Sequence, residues 1–244
     1  MKLSEKIYLA GSGAMGLHLT NPMDCNVFLL DGGSEAALID AGGGVEPERI
    51  VRAIESDGLD IKKLKTVLLT HAHGDHAAGA TFWRESFGCK IYSAAECVDW
   101  IRLADESKIS LDAARAAGIY PPDFKFAQCE IERGLHEGDE VQIGDTILEV
   151  LETPGHARGH ISFYERATKA LFSGDVVFPG GKIAPQVTWD FSILDLKNSI
   201  VKIHDLGIES LFAGHGAPLL NDAANDVAIA HKYLQQLRFP KPLV

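Results

Sequence analysis

The segment Thr70-His71-Ala72-His73-Gly74-Asp75-His76 puts three imidazoles and a carboxylate into six consecutive positions, directly behind the apolar run that predicts a strand over Val67–Thr70. Imidazole nitrogen and carboxylate oxygen are donors that zinc and similar divalent ions accept. Histidines two apart on an extended loop converge on one ion, and the Asp-His pair that follows turns into the next helix to face a second. Without an ion, groups this close would repel one another or compete for protons. Working outward, three later positions repeat the placement of a donor after a predicted strand and beside glycine. These are His156 in Thr153-Pro154-Gly155-His156, Asp175 in Ser173-Gly174-Asp175, and His215 in Ala213-Gly214-His215-Gly216. Glycine at such places lets backbone approach an ion closely. His18, His136, His204 and His231 have no such context and read as surface residues.

The rest of the chain supplies strands and helices in two rounds. Strands are predicted at Lys6–Ala10, Asn26–Leu30 and Ala36–Asp40, the last two joined by the hairpin turn Asp31-Gly32-Gly33. Pro47 opens a helix that runs to about Ser56. Ala77–Phe87 reads as helix and Lys90–Ser93 as a short strand. Cys97, Trp100, Ile101 and Ala104 share one helical face, which predicts helix over residues 94–117, ended by Tyr120-Pro121-Pro122. Strands follow at Glu140–Ile143, Thr146–Glu152, Ile161–Glu165, Ala170–Phe178 and Glu209–Ala213, with amphipathic helices over 192–206 and around Val227–Leu237. Two groups of strands, each followed by helices, predict an α/β protein built as a four-layer αββα sandwich. Residues 1–244 read as a single domain carrying a helical insert at about 94–126. Gly11-Ser12-Gly13-Ala14-Met15-Gly16 matches a dinucleotide fingerprint, but Pro22 follows soon and no helical stripe does, so a glycine turn between strands is expected.

The H-x-H-x-D-H loop, the later His156, Asp175 and His215, and the Asp40-Ala41-Gly42 turn resemble the metallo-β-lactamase superfamily, in family order from about residue 6 to 216. The resemblance implies that His71, His73 and His156 bind a first metal, that Asp75, His76 and His215 bind a second, and that Asp175 bridges the two. It also implies that Asp40 and His160 orient those ligands. Two zinc ions are the expected cofactor, with iron or manganese as alternatives. Two divalent ions, two carboxylates and a bridging hydroxide would leave about one net positive charge, suited to an oxyanion, and bound metal lowers the pKa of water from 15.7 to about 7. Hydrolysis by metal-bound hydroxide follows, with Asp75 orienting it or carrying a proton to the leaving group.

Substrate is less legible. Thr153-Pro154-Gly155-His156 continuing to Gly159-His160, and Gly174-Asp175, are similar to the glyoxalase II and lactonase branches. Aspartate stands at the bridging position, where classical β-lactamases carry cysteine. Val187-Thr188-Trp189-Asp190-Phe191 shares only its last two residues with the Gly-Arg-Thr-Asp-Phe of glyoxalase II. Only about one helix follows His215, which argues against the helical domain that recognises glutathione in that family. A lactone or thioester is therefore expected, with a phosphodiester or β-lactam as alternatives on the same site. Ribonuclease Z shares the ligand pattern but is disfavoured by the acidic chain. A mononuclear-iron persulfide dioxygenase is the alternative of another class, and the retained His76 and His215 count against it. The flavodiiron branch expects Glu where His73 stands, and a non-catalytic binding module is disfavoured by the complete ligand set. Tyr120, Phe178, Lys182 and Trp189 are the candidate pocket residues, Lys182 as partner of a carboxylate or phosphate.

Composition agrees. The chain has 244 residues, 23 Lys plus Arg against 34 Asp plus Glu, a net charge of −11, and 46% hydrophobic residues. That excludes disorder, collagen and small disulfide scaffolds, and a general nucleic-acid binder has the opposite charge. Cys25, Cys89, Cys97 and Cys129 form no C-x-x-C pair and read as buried, reduced residues. No apolar run reaches the length of a membrane span, and Ile7–Ala10 is too short for a signal core. A cytoplasmic enzyme with a small-molecule substrate and neither nucleic-acid nor membrane partner is expected; oligomeric state is not written in the sequence.

Overall fold

The computed structural model describes residues 1–243. Its first sheet contains β1 (Ile7–Gly11), β2 (Val27–Asp31), β3 (Ala36–Ile39), β4 (Leu64–Leu68), β5 (Lys90–Ala94) and β6 (Arg133–Leu135), in that spatial order. β1, β2 and β3 pair antiparallel, and β3 to β6 run parallel. The second sheet has β7 (Glu140–Ile143), β8 (Thr146–Glu152), β9 (Ile161–Glu165), β10 (Ala170–Gly174) and β11 (Ser210–Ala213), in the order β11-β10-β9-β8-β7. Helices α1 (Glu48–Ser56), α2 (Gly74–Ala77), α3 (Ala80–Phe87), α4 (Val98–Leu103), α5 (Leu111–Ala116), α6 (Ile193–Leu206) and α7 (Ala223–Gln235) complete the mixed α/β sandwich.

Burial explains these elements. β1 to β3 are buried almost throughout, as expected of strands covered on both faces, whereas β7 alternates exposed and buried residues with one face in water. Phe28 of the first sheet meets Phe172 and Phe212 of the second, with ring centroids 5.8 and 5.4 Å away, in the core between the sheets. α6 buries Leu196, Ile200 and Ile203, one stripe at helical spacing, and Ser192 caps it by accepting the Asp195 N–H.

Local boundaries differ where side chains outcompete periodicity. Helix does not run from 94 to 117. Asp105 Oδ1 accepts the Ser107 hydroxyl and the N–H groups of Ser107 and Lys108, an alternative to helical bonding. Ala104 and Ser110 then take left-handed backbone, at φ 50° and 55°, which separates α4 from α5. The helix expected at Ala77–Phe87 is split into α2 and α3, and β4 ends at Leu68, which gives Leu69 and Thr70 to the histidine loop. β10 stops at Gly174, with φ 50°, well short of Phe178, and β6 had no signal in the sequence. Gly11 ends β1 and the chain turns at Ala14–Leu17 with no helix behind it, as expected from the sequence. All four cysteines are buried and free. No helix among the described residues is long and apolar enough to cross a membrane.

This topology fixes where a site forms. β8 and β10 are each antiparallel to β9, and β10 is parallel to β11, so β8, β10 and β11 end on one edge of the second sheet. The loop after β4 meets that edge, and the Ile161 N–H donates to the Thr70 carbonyl across the seam, at 2.8 Å. Asn26 tightens it further, donating from Nδ2 to the carbonyls of Ala213 and Gly216, both at 2.9 Å.

Candidate metal centre

Two nests of donors meet at this seam. In the first, His71 Nε2 and His156 Nε2 each lie 3.1 Å from His73 Nδ1. In the second, His215 Nε2 is 3.2 Å and His76 Nε2 is 3.6 Å from Asp75 Oδ2. Asp175 stands between them. Its Oδ1 is 3.4 Å from His76 Nε2, and its Oδ2 is 3.5 Å from His156 and 3.3 Å from His215. Each three-residue set keeps its donor atoms within 4.8 Å of one another. The seven residues that the sequence singled out therefore converge, although they come from four separate loops.

The outward-facing atoms decide how the inner ones point. Asp40 follows β3 with left-handed backbone, φ 65°, an uncommon conformation outside glycine that surrounding bonds must hold in place. Its Oδ1 accepts the Thr70 N–H at 2.7 Å, and its Oδ2 accepts from His76 Nδ1 at 2.8 Å. That bond fixes the His76 ring with Nε2 turned inward. His160 is no member of either nest. Its Nε2 accepts the Asp175 N–H at 3.1 Å, so Nδ1 carries the proton and donates to Thr153 Oγ1 at 2.9 Å. Asp40 thus contacts the His76 side chain, and His160 contacts the Asp175 backbone.

Three contacts carry little or no signature in the sequence. His73 Nε2 donates to Asp190 Oδ2 at 3.0 Å, and Asp190 Oδ1 accepts the Ser110 hydroxyl at 2.7 Å. Tyr120 donates to Asp75 Oδ1 at 2.6 Å and accepts the Asp75 N–H at 3.0 Å. Gln186 Nε2 lies 3.0 Å from His156 Nε2. Asp190 is visible only as a match to a family motif, and Ser110 and Gln186 carry no signal of spacing.

Electrostatics divides the nests. Burial, reinforced by the neighbouring imidazoles, drives the His71 pKa well below its ordinary value. Burial takes His156 down to about 4. In the second nest burial also opposes charge, but carboxylates win. Asp175 and Asp75 raise His215 to about 9, and the groups around His76, Cys25 first and then Asp175, Asp75 and Asp40, hold it well above the ordinary range. Burial would raise Asp75 and Asp175, yet His76 and His215 hold both carboxyls below the usual carboxylate range. Burial also works to raise Asp190, and His73 pulls it down to about 2.

The donor set fits divalent ions. Among the described residues, His76 Nε2 and Asp175 Oδ1 are buried without a hydrogen-bond partner, a costly state that a shared cation relieves. A Cβ on Gly214 would run into Asp175 Oδ1 and the His76 ring, so only glycine leaves the carboxylate its place.

Above the nests lies a cavity of about 350 Å³ that reaches His73, Asp75, His156, Asp175 and His215. Its walls are mostly apolar, from Met15, Ile109, Ile119, Pro185 and Leu243, and none of its described lining residues is Lys or Arg. Tyr120 lines it. Phe178, Lys182 and Trp189 do not. Phe178 is fully buried and packs beside His215 in the core. Lys182 exchanges backbone hydrogen bonds with Phe178 in a tight bridge. Trp189 turns outward, 45% exposed, with the Lys108 ammonium 4.7 Å from its ring centre.

Known proteins share this architecture. A hydroxyacylglutathione hydrolase, GloC, of Haemophilus influenzae is 32% identical over 190 residues, 77% of this chain and 82% of that protein. The acyl-coenzyme A thioesterase MBLAC2 of Gallus gallus is 31% identical, covering 74% of this chain and 64% of that protein. The crystal structure of TTHA1623, solved in a di-iron-bound form, superposes with a TM-score of 0.65 at 28% identity, covering 82% of this chain and 91% of that one. The family model for the metallo-beta-lactamase superfamily spans residues 20–215, from before Asp40 to His215 itself. With its two sheets, its ordered donors and its hydrolase relatives, the chain belongs to the metallo-beta-lactamase superfamily.

Proposed function

We propose that this protein hydrolyses thioesters of small, largely apolar acyl groups at a dinuclear metal centre. One observation carries the reading: a single carboxylate, Asp175, lies within 3.5 Å of donors from both nests. His71, His73 and His156 would hold one ion, and Asp75, His76 and His215 the other, with Asp175 shared. Zinc suits this nitrogen and oxygen set, and iron or manganese fits the same donors. When bound, such a pair supplies Lewis acidity and a water whose pKa is lowered toward neutrality.

The chain's own residues do the rest. Asp75 is ionised at neutral pH, with Oδ1 fixed by Tyr120 and Oδ2 turned to the nest, so it is placed to orient the nucleophile. The apolar walls favour an acyl chain and exclude bulk water. With no Lys or Arg among its described lining residues, the cavity walls beyond the donors offer no fixed basic partner to a carboxylate or phosphate on the acyl side. The thioester bond is suggested by both curated relatives, since hydroxyacylglutathione and acyl-coenzyme A share that linkage. Lactones present the same carbonyl chemistry and are the second substrate class on this reading.

Metal analysis of the purified protein, followed by a panel of thioesters, lactones, a phosphodiester and a β-lactam on one zinc-loaded sample, tests the proposal. Two equivalents of metal and thioester cleavage are expected. Fewer than two equivalents after loading would end the dinuclear reading, and oxygen consumption with a persulfide by iron-containing protein would replace hydrolysis with oxidation.

A further inference from the structure

The segment between β5 and β6 reaches the donors at two places, touching His73 of one nest through Asp190 and Asp75 of the other directly. At the first, Ser110 donates to Asp190, which accepts from the outer nitrogen of His73. The inner nitrogen is left facing His71 and His156. At the second, Tyr120 takes one oxygen of Asp75 and the adjoining N–H, leaving the other oxygen to His76 and His215. Both contacts leave the inner atom free and bind the outer one.

The placement is built rather than incidental. Ser110 is buried at φ 55°, a backbone state that serine adopts at a cost, and this turn aims its hydroxyl at Asp190. Tyr120 is 8% exposed and stacks on Phe124, with centroids 4.5 Å apart and planes inclined by 17°. That pair sits directly on Gly74. A Cβ there would lie 2.8 Å from Phe124 Cε1 and 3.3 Å from Tyr120 Cζ, so the missing side chain inside the histidine loop is what admits the aromatic pair.

We propose that the insert is a two-point clamp, in which Ser110 acting through Asp190 positions His73 and Tyr120 positions Asp75, so that it sets one donor of each metal subsite. Ser110, Asp190 and Tyr120 are positioning residues, acting through the donors they hold. The inference rests on the dinuclear reading above. Partners of this kind typically matter 10–100-fold to metal affinity or activity.

The test measures stepwise zinc affinity by competition with a chromophoric chelator, alongside the visible spectrum of the cobalt-loaded protein and the melting temperature of the metal-free protein. Tyr120→Phe keeps the ring stack and removes only the hydroxyl. Ser110→Gly removes the other hydroxyl at a backbone angle glycine adopts freely, and Asp190→Asn should reproduce its effect. Tyr120→Phe should weaken one zinc step by about 10-fold or more, and Ser110→Gly the other step. Each should alter the cobalt spectrum while the metal-free melting temperature stays near that of the parent. Affinities unchanged within about threefold, or both variants weakening the same step, would overturn the clamp while leaving the dinuclear centre standing. Failure of the parent protein to bind two ions would overturn the centre itself, and the clamp with it.

Discussion

The two nests use the same side chain to opposite electrostatic effect. His71 and His156 are surrounded by other imidazoles and by apolar walls, and they are neutral in the metal-free protein. His76 and His215, a few ångströms away, sit among carboxylates and hold their protons. Burial is nearly complete in both, so burial cannot be the distinction. The neighbours are: the first nest is rich in imidazoles and poor in charge, whereas the second is a network of ion pairs between imidazole and carboxylate.

The largest way to break this contrast is Asp175→Ala, which removes the one anion common to both nests. Loss of turnover on the order of a thousandfold is expected, corresponding to several kcal/mol of lost stabilisation, with metal stoichiometry falling below two. A variant that keeps both ions and its rate would show that the nests work independently.

Asp40→Asn comes next. Asparagine tolerates the left-handed backbone of this position, but its amide no longer offers His76 a charged acceptor. The second zinc step should weaken about 10–100-fold while the first is unmoved, as read by chelator competition.

The pH dependence sharpens the comparison directly. His215, raised to about 9, is protonated at neutral pH in the metal-free protein and must lose that proton to bind an ion. Affinity at the second nest should therefore climb with pH until about 9, by about tenfold per pH unit for each proton displaced. His156, near 4, should contribute no such slope over the same range. Calorimetric zinc titrations in buffers of different ionisation heat would count the protons. The same linkage governs the metal-free fold. A raised histidine contributes stability in full below its ordinary value of 6.5 and loses it as pH rises through about 9. The depressed His156 has the opposite sense, contributing above 6.5 and losing as pH falls through about 4.

The smallest effects belong to residues outside the cavity. Lys182→Ala and Trp189→Ala should each change thioester kcat/KM by less than about threefold, the scale of an exposed substitution within ±0.5 kcal/mol. A large rise in KM for Trp189→Ala would extend the binding surface beyond the cavity wall.

How much of the molecule is legible in its sequence follows from how each feature is encoded. The donors are readable because three histidines and an aspartate in one loop are costly to place together unless a cation balances them. The sandwich is readable because strands come in two rounds with helices behind them. Ser110 and Gln186 are not, since a hydroxyl or amide acquires its role only from what folds beside it. The helix expected over 94–117 breaks although its apolar spacing is real, because Asp105 offers the backbone competing bonds that periodicity does not register. The pocket roles expected of Phe178 and Lys182 rest on their following Asp175 in sequence. The chain turns there at once, so proximity along it does not become proximity in space.

The donors reach the site from both sheets: His71, His73, Asp75 and His76 from the first, His156, Asp175 and His215 from the second. Any ion bound there is a fastener across the seam, shared between two halves of the fold. Its binding adds to resistance against unfolding by mass action, about 2.7 kcal/mol when free metal stands at a hundred times its dissociation constant. The protein's endurance would then track the metal supply of its surroundings, and a chelator would weaken the sandwich at the same place where it silences the chemistry.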